Sequence, residues 1–266
     1  MGPVSSRRRT TGGTHSTSRR STDRPPNWNG VRSLDVRDRI RVHGVVPVVA
    51  VGHAQDGSAL GAALRDAGLS CAEITLRTPA GIEAIALMRA QQPDLLVGAG
   101  TVLSVEQADR AIDAGAQFVV MPGFGDAIVA RCLARGVPVF PGVVTPTELM
   151  RAIDMGVMDV KFFPAGTSGG LAHLKALGGP FPAVRFIPTG GIGVADLGAY
   201  LALPSVLAVG GSWMVRPELL AAGDWVTVGR LAAEAVAAVR AIREPAQGEP
   251  ALGEAALGVP ATGAPA

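Results

Sequence analysis

Lysine is nearly missing from this chain. Of its 24 basic side chains only Lys161 and Lys175 are lysines; every other cation is an arginine. Cysteine is as scarce. Cys71 and Cys132 are too few for a disulfide framework or a zinc ribbon, and both fall in runs that read as core. The four histidines, His15, His43, His53 and His173, are scattered, so no metal site is expected. No apolar run approaches the ~20 residues of a membrane span. No G-x-G-x-x-G follows the first strand candidate, which leaves dinucleotide binding without support.

Acidic charge is missing from one end only. Residues 1–41 hold ten arginines against Asp23, Asp35 and Asp38, a balance of +7, which leaves −5 for the rest of a chain whose net charge is +2. The body is therefore mildly acidic, which argues against nucleic-acid binding. Residues 1–30 are rich in Arg, Ser and Thr without apolar periodicity and read as a disordered arm. Arg19-Arg20 lacks the apolar segment of an export signal, and Met1-Gly2-Pro3-Val4-Ser5-Ser6 fits a myristoylation pattern only loosely. Residues 244–266, rich in Ala, Pro and Gly, read as a disordered tail. Between them, residues 31–243 are expected to form one domain, free of membrane contact and suited to a reducing cytoplasm.

What is present is a repeat. Short β-branched runs alternate with Ala-rich helical patterns over residues 45–212. The strand candidates are Val45–Val51, Cys71–Arg77, Leu95–Val102, Phe118–Pro122, Pro138–Val143, Asp159–Pro164, Arg185–Ile192 and Val206–Ser212. Helical stretches such as Gly57–Ala67, Ser104–Ala114 and Asp126–Arg135 follow them and close on Gly68, Gly115 and Gly136. The pattern predicts an α/β fold, a (β/α)8 TIM barrel, with a helix over Leu34–His43 closing its bottom and a last outer helix over Leu231–Arg243.

Chemistry in such barrels sits at the C-terminal strand ends, and the unusual residues of this repeat fall there. Period-two alternation puts Glu73, Thr75 and Arg77 on one face, and Lys161 and Phe163 on another. Arg keeps its proton in a protein, whereas a lysine in a water-poor pocket can become a nucleophilic amine. Lys161 is therefore a candidate Schiff-base residue, the alternative being a strand-end lysine with its head in water. Glu73 is the candidate acid–base group. Arg77 and Thr101 would hold a keto acid's carboxylate. Two simpler readings stay open: Glu73 and Arg77 as a structural ion pair, and Thr101 as a helix N-cap. Strands seven and eight end in Gly190-Gly191 and Gly210-Gly211, where barrels cradle phosphate.

The runs Glu73-Ile74-Thr75-Leu76-Arg77-Thr78, Gly98-Ala99-Gly100-Thr101-Val102, Pro141-Gly142, Lys161-Phe162-Phe163-Pro164-Ala165, Pro188-Thr189-Gly190-Gly191-Ile192 and Gly210-Gly211-Ser212-Trp213 stand in order at matching spacing. Together they resemble the class I 2-dehydro-3-deoxy-6-phosphogluconate (KDPG) aldolases, part of the KHG/KDPG aldolase family. The resemblance implies Lys161 as the Schiff-base residue and Glu73 as the proton carrier. It implies Arg77, Thr101 and Lys161 around pyruvate, and Pro122 and Phe163 as apolar walls. Thr189, Gly190, Gly191, Gly211 and Ser212 would surround the phosphate. It further implies no cofactor, a phosphorylated 2-keto-3-deoxy sugar acid as substrate, and a cytoplasmic homotrimer. An aldolase for the galactonate epimer, a broader 4-hydroxy-2-oxoglutarate aldolase, and a non-covalent phosphosugar epimerase on the same barrel are the alternatives. Met121 and the Gly166–Gly170 loop depart from the family pattern near the expected mouth.

Overall fold

Runs of Val, Ile and Leu broken by single turns set the parallel strands, and Ala-rich stretches between them set the helices. The computed structural model describes residues 35–244. The expected arm, the tail beyond Glu244 and the first residue of the expected closing helix lie outside the described residues. In chain order the elements are α1 (Val36–His43), β1 (Val45–Val49), α2 (Asp56–Asp66), β2 (Cys71–Thr75), α3 (Gly81–Gln91), β3 (Leu96–Gly100), α4 (Val105–Asp113), β4 (Val119–Val120) and α5 (Asp126–Ala134). There follow β5 (Val139–Phe140), β6 (Gly142–Val143), α6 (Pro146–Asp154), β7 (Asp159–Phe162), α7 (Gly170–Gly178), β8 (Arg185–Pro188), α8 (Leu197–Leu201), β9 (Val209–Gly211), α9 (Pro217–Ala221) and α10 (Trp225–Arg243). The last helix starts six residues before the expected Leu231, because the Asp224 side chain caps it by accepting from the Thr227 N–H at 3.0 Å.

The sheet is parallel and curled, and its ladder is interrupted. Among the described residues one piece runs β5-β4-β3-β2-β1-β9 and the other β6-β7-β8. The predicted strand Pro138–Val143 is split at Pro141, which has no N–H to donate to a ladder. The Pro141 carbonyl still accepts from the Lys161 N–H at 2.9 Å. At the other edge single bridges, Phe186 to Val206 and Thr189 to Gly210, link β8 to the chain entering β9.

Two apolar clusters follow from the alternation. Side chains such as Ala72, Ile74, Val160 and Phe162 pack outward against the helices. Val46, Cys71, Leu96, Val120, Phe140 and Ile187 fill the inside of the curl together with Ile40 from α1 and Phe118. Phe118 and Phe140 meet edge to face, 5.9 Å between centroids. This filling occupies the end where the strands begin and leaves room only where they finish.

His43, at the end of α1, is buried against this lower end. Burial, then the charges of Arg39 and Arg243, push its pKa from 6.5 down to about 4. Between those values the unfolded chain takes up a proton that the folded protein refuses, so stability should fall as pH drops from 6.5 towards 4. The full effect is about 3 kcal/mol. Urea unfolding midpoints for wild type and His43→Gln should diverge in their pH slopes over that window. Parallel slopes would contradict this assignment.

Candidate active site

Lys161 stands in the middle of the second sheet piece, opposite Gly142 on β6 and Ile187 on β8. Its neighbours Val160 and Phe162 take the helix side, which sends Lys161 and Phe163 inward. The lysine is 5 % exposed, so the solvated strand-end reading fails. Its Nζ donates to Glu73 Oε1 at 3.1 Å and lies 5.1 Å from the centre of the Phe163 ring. A buried ammonium without a partner is costly, and the carboxylate and ring face together compensate it.

Glu73 reaches the lysine from β2, where it sits opposite Val48 and Gly98. Space for its head comes from β3. A methyl group at Gly100 would overlap the Glu73 carboxylate, and one at Gly98 would overlap the Phe118 ring. The strand contributes bare backbone where its neighbours contribute large side chains.

The Glu73–Arg77 ion pair, the simpler alternative for these two residues, is not formed. Arg77 lies past the end of β2, and its Nε donates to Thr75 Oγ1 at 3.2 Å. Thr75 in turn donates to the Val49 carbonyl at 2.9 Å. Among the described residues Arg77 meets no carboxylate, so its guanidinium fork is available to an anion. Thr101 is not a helix cap either. Ser104 caps α4 by accepting from the Gln107 N–H at 3.2 Å. Thr101 instead has φ 56°, a left-handed conformation rare for a β-branched residue. Such strain costs on the order of 1–3 kcal/mol and concentrates at functional sites.

These groups border one cavity of about 270 Å³. Its lining includes Arg77, Thr101, Pro122, Lys161 and Phe163 together with Thr189, Gly190, Gly191, Gly211 and Ser212. Gly190 and Gly191 have φ 97° and 73°, which only glycine adopts without penalty. Thr189 uses its hydroxyl within its own strand, donating to the Ile187 carbonyl at 3.2 Å. Glu73 is the one expected site residue outside the cavity lining; it lies behind Lys161, 3 % exposed. Gly210, from the expected phosphate pair, lines the cavity too, as do Val48, Thr75 and Ile192, which were not singled out as site residues. Thr75 had a signal, an inward hydroxyl in an apolar strand; Val48 had none. Met121 is buried in the outer core and does not line the cavity, so it is not placed to select substrates directly. Among the described residues no group of three or more His, Cys, Asp or Glu could hold a metal ion, and no helix is long and apolar enough to cross a membrane.

A buried lysine against a carboxylate, with an arginine fork and paired glycines lining the same cavity, can capture a carbonyl, exchange protons and hold two anionic groups. Within a curled parallel α/β sheet, that combination defines a Schiff-base carbon–carbon lyase. The chain belongs to the KDPG and KHG aldolase family, whose model matches residues 36–231. It is 50 % identical over 195 residues to a 2-dehydro-3-deoxy-phosphogluconate aldolase of Treponema pallidum (strain Nichols), covering 73 % of this chain and 91 % of the relative. It is 43 % identical over 192 residues to the KHG/KDPG aldolase of Escherichia coli (strain K12), with 72 % and 90 % covered. Among solved structures it is similar to the KDPG aldolase of Legionella pneumophila with pyruvate captured as a covalent carbinolamine, at 38 % identity and a TM-score of 0.73, with 75 % of this chain and 97 % of that one covered.

Proposed function

We propose that this protein cleaves 2-dehydro-3-deoxy-6-phosphogluconate to pyruvate and glyceraldehyde 3-phosphate through a Schiff base on Lys161. The observation that carries this reading is the buried Lys161–Glu73 contact, 3.1 Å long, at the wall of a cavity that also presents Arg77 and Thr101. The neutral amine of Lys161 attacks the C2 carbonyl, and loss of water leaves an iminium. The C3–C4 bond then breaks, its electron pair passing into the iminium to give an enamine, while the C4 hydroxyl gives up its proton as the aldehyde forms. Protonation of the enamine at C3 and hydrolysis return the amine and release pyruvate. Glu73, beside Nζ, carries protons in these steps. Arg77 and Thr101 hold the C1 carboxylate, Pro122 and Phe163 enclose the three-carbon unit, and the backbone N–H groups around Gly190, Gly191, Gly211 and Ser212 receive the phosphate.

We read the architecture as a (β/α)8 barrel with α1 across its bottom, in a single aldolase domain over residues 31–243. The bridges joining β8 to the chain entering β9, and the shared Pro141 between β5 and β6, support closure of the ring. We place the protein in the cytoplasm as a homotrimer without a cofactor. Burial pushes the free thiols of Cys71 and Cys132 up to about 12 and about 11, which suits unreactive core cysteines in a reducing medium. Exposed Leu103 and Met150 offer apolar surface to a second copy. Purified protein should release pyruvate from the phosphogluconate substrate with a kcat/KM at least tenfold above that for the galactonate epimer. A reversed ratio would assign it to the epimer, and release from neither would remove the aldolase reading.

A further inference from the structure

The acidic body carries a cationic groove on the face opposite the catalytic cavity. Arg41 from α1, Arg185 at the start of β8 and Arg243 at the end of α10 border a cavity of about 460 Å³. A second cavity of about 340 Å³ adjoins it, sharing Arg185, Leu203 and Pro204 and adding Lys175 from α7. Among the described residues no acidic side chain lines either one. Elsewhere Arg37, Arg65, Arg131, Arg135, Arg151 and Arg230 each face a carboxylate. None of the four groove cations forms an ion pair among the described residues. Arg243 spends one N–H on the Val42 carbonyl, and Arg185 spends one nitrogen on the Pro182 and Val184 carbonyls. Burial, and then the neighbouring Arg41 charge, lower the pKa of Arg243, so the like charges in this groove oppose one another.

Repelling cations brought together from four elements far apart in sequence gain from an anion between them. Apolar side chains, among them Leu201, Leu203 and Leu207, line the same cavity beside the cations. A free phosphate ion would leave them uncovered, whereas a carbon skeleton carrying two or more anionic groups matches the charged and the apolar lining together. The volume is in the range of metabolite sites. We propose that this groove is a second binding site, separate from the catalytic cavity, for a small multivalent organic anion of the phosphorylated or polycarboxylate class.

The test is calorimetric titration of the full chain with citrate and with pyrophosphate, at a fixed ionic strength of about 0.15 M. Citrate brings carbon and carboxylates, pyrophosphate brings phosphate charge alone, so their relative affinities separate the two sources of anion. Saturable binding of at least one probe is expected. It should weaken roughly tenfold or more in R41Q/R243Q, the loss of two charge-assisted contacts. Arg41→Gln alone, which breaks no hydrogen bond recorded in the fold, should weaken it by a smaller factor. Cleavage kcat/KM should stay within twofold of wild type in both. Absence of binding by either probe overturns the proposal. So does binding that both variants leave unchanged, since the probe would then sit at the mouth.

Discussion

Pyruvate and borohydride together should fix a reduced three-carbon adduct on Lys161 and leave Lys175 unmodified. Lys175 sits exposed on α7, outside the curled sheet, and borders a different cavity from the one that Arg77, Thr101 and Lys161 line. Trypsin does not cut after an alkylated lysine, so the label should travel on the fragment spanning residues 152–175. Lys161→Arg should remove the adduct and lower cleavage by at least roughly 10⁴-fold, the scale on which lost nucleophiles register. Arginine is the informative replacement because it keeps a cation against Glu73. Alanine would leave a buried carboxylate unpaired, at a cost of about 3–5 kcal/mol, and confuse chemistry with unfolding. Mass spectrometry locating the label on Lys175, or a Lys161→Arg protein that still turns over, would sink the covalent mechanism.

Glu73→Gln should separate carbonyl capture from proton transfer. Glutamine keeps the shape and can still accept from Lys161 Nζ, but it cannot carry a proton. Adduct formation with pyruvate should persist, more slowly, while cleavage falls by roughly 10²–10⁴, the usual worth of a positioned acid–base group. Exchange of the pyruvate methyl hydrogens for deuterium should fall with it, because enamine formation draws on the same carrier. NMR of pyruvate in heavy water reads this directly. Exchange and cleavage at wild-type rates would reduce Glu73 to a counter-ion of Lys161 and require another base.

All but one of the strand starts were legible to within a residue because the apolar runs begin sharply; the last strand begins at Val209, three residues after the expected Val206. The strand ends were not, because the polar residues that follow are the mouth of the site and still alternate like a strand. β2 stops at Thr75, so Arg77 owes its position to the Thr75 hydroxyl and not to the pleat. Thr101 and Ser104 offered two hydroxyls near one helix start, and the bond that Ser104 accepts from the Gln107 N–H shows which one caps, while Thr101 turns left-handed at φ 56°. Motif order placed most of the cavity residues, many of them next to a glycine or proline at a strand end, but not Val48, Thr75 or Ile192. The pairing of Lys161 with Glu73 spans 88 residues and exists only because the sheet curls. Alternation along one strand cannot report a partner on another, which is why a Glu73–Arg77 pair stayed open as an alternative.

Strand β3 carries a consequence for how this active site can change. Its inward positions are occupied by other strands' atoms, an aromatic ring over Gly98 and a carboxylate over Gly100. The strand is a mould of its neighbours, and the two glycines answer to different masters. Growth at Gly98 collides with the ring that fills the lower interior and is felt by the fold. Growth at Gly100 collides with the group beside the lysine and is felt by the reaction. A lineage or a library seeking a roomier pocket therefore finds no slack in β3. It is driven to the loops beyond the strands, where Ile192 borders the cavity without touching either glycine.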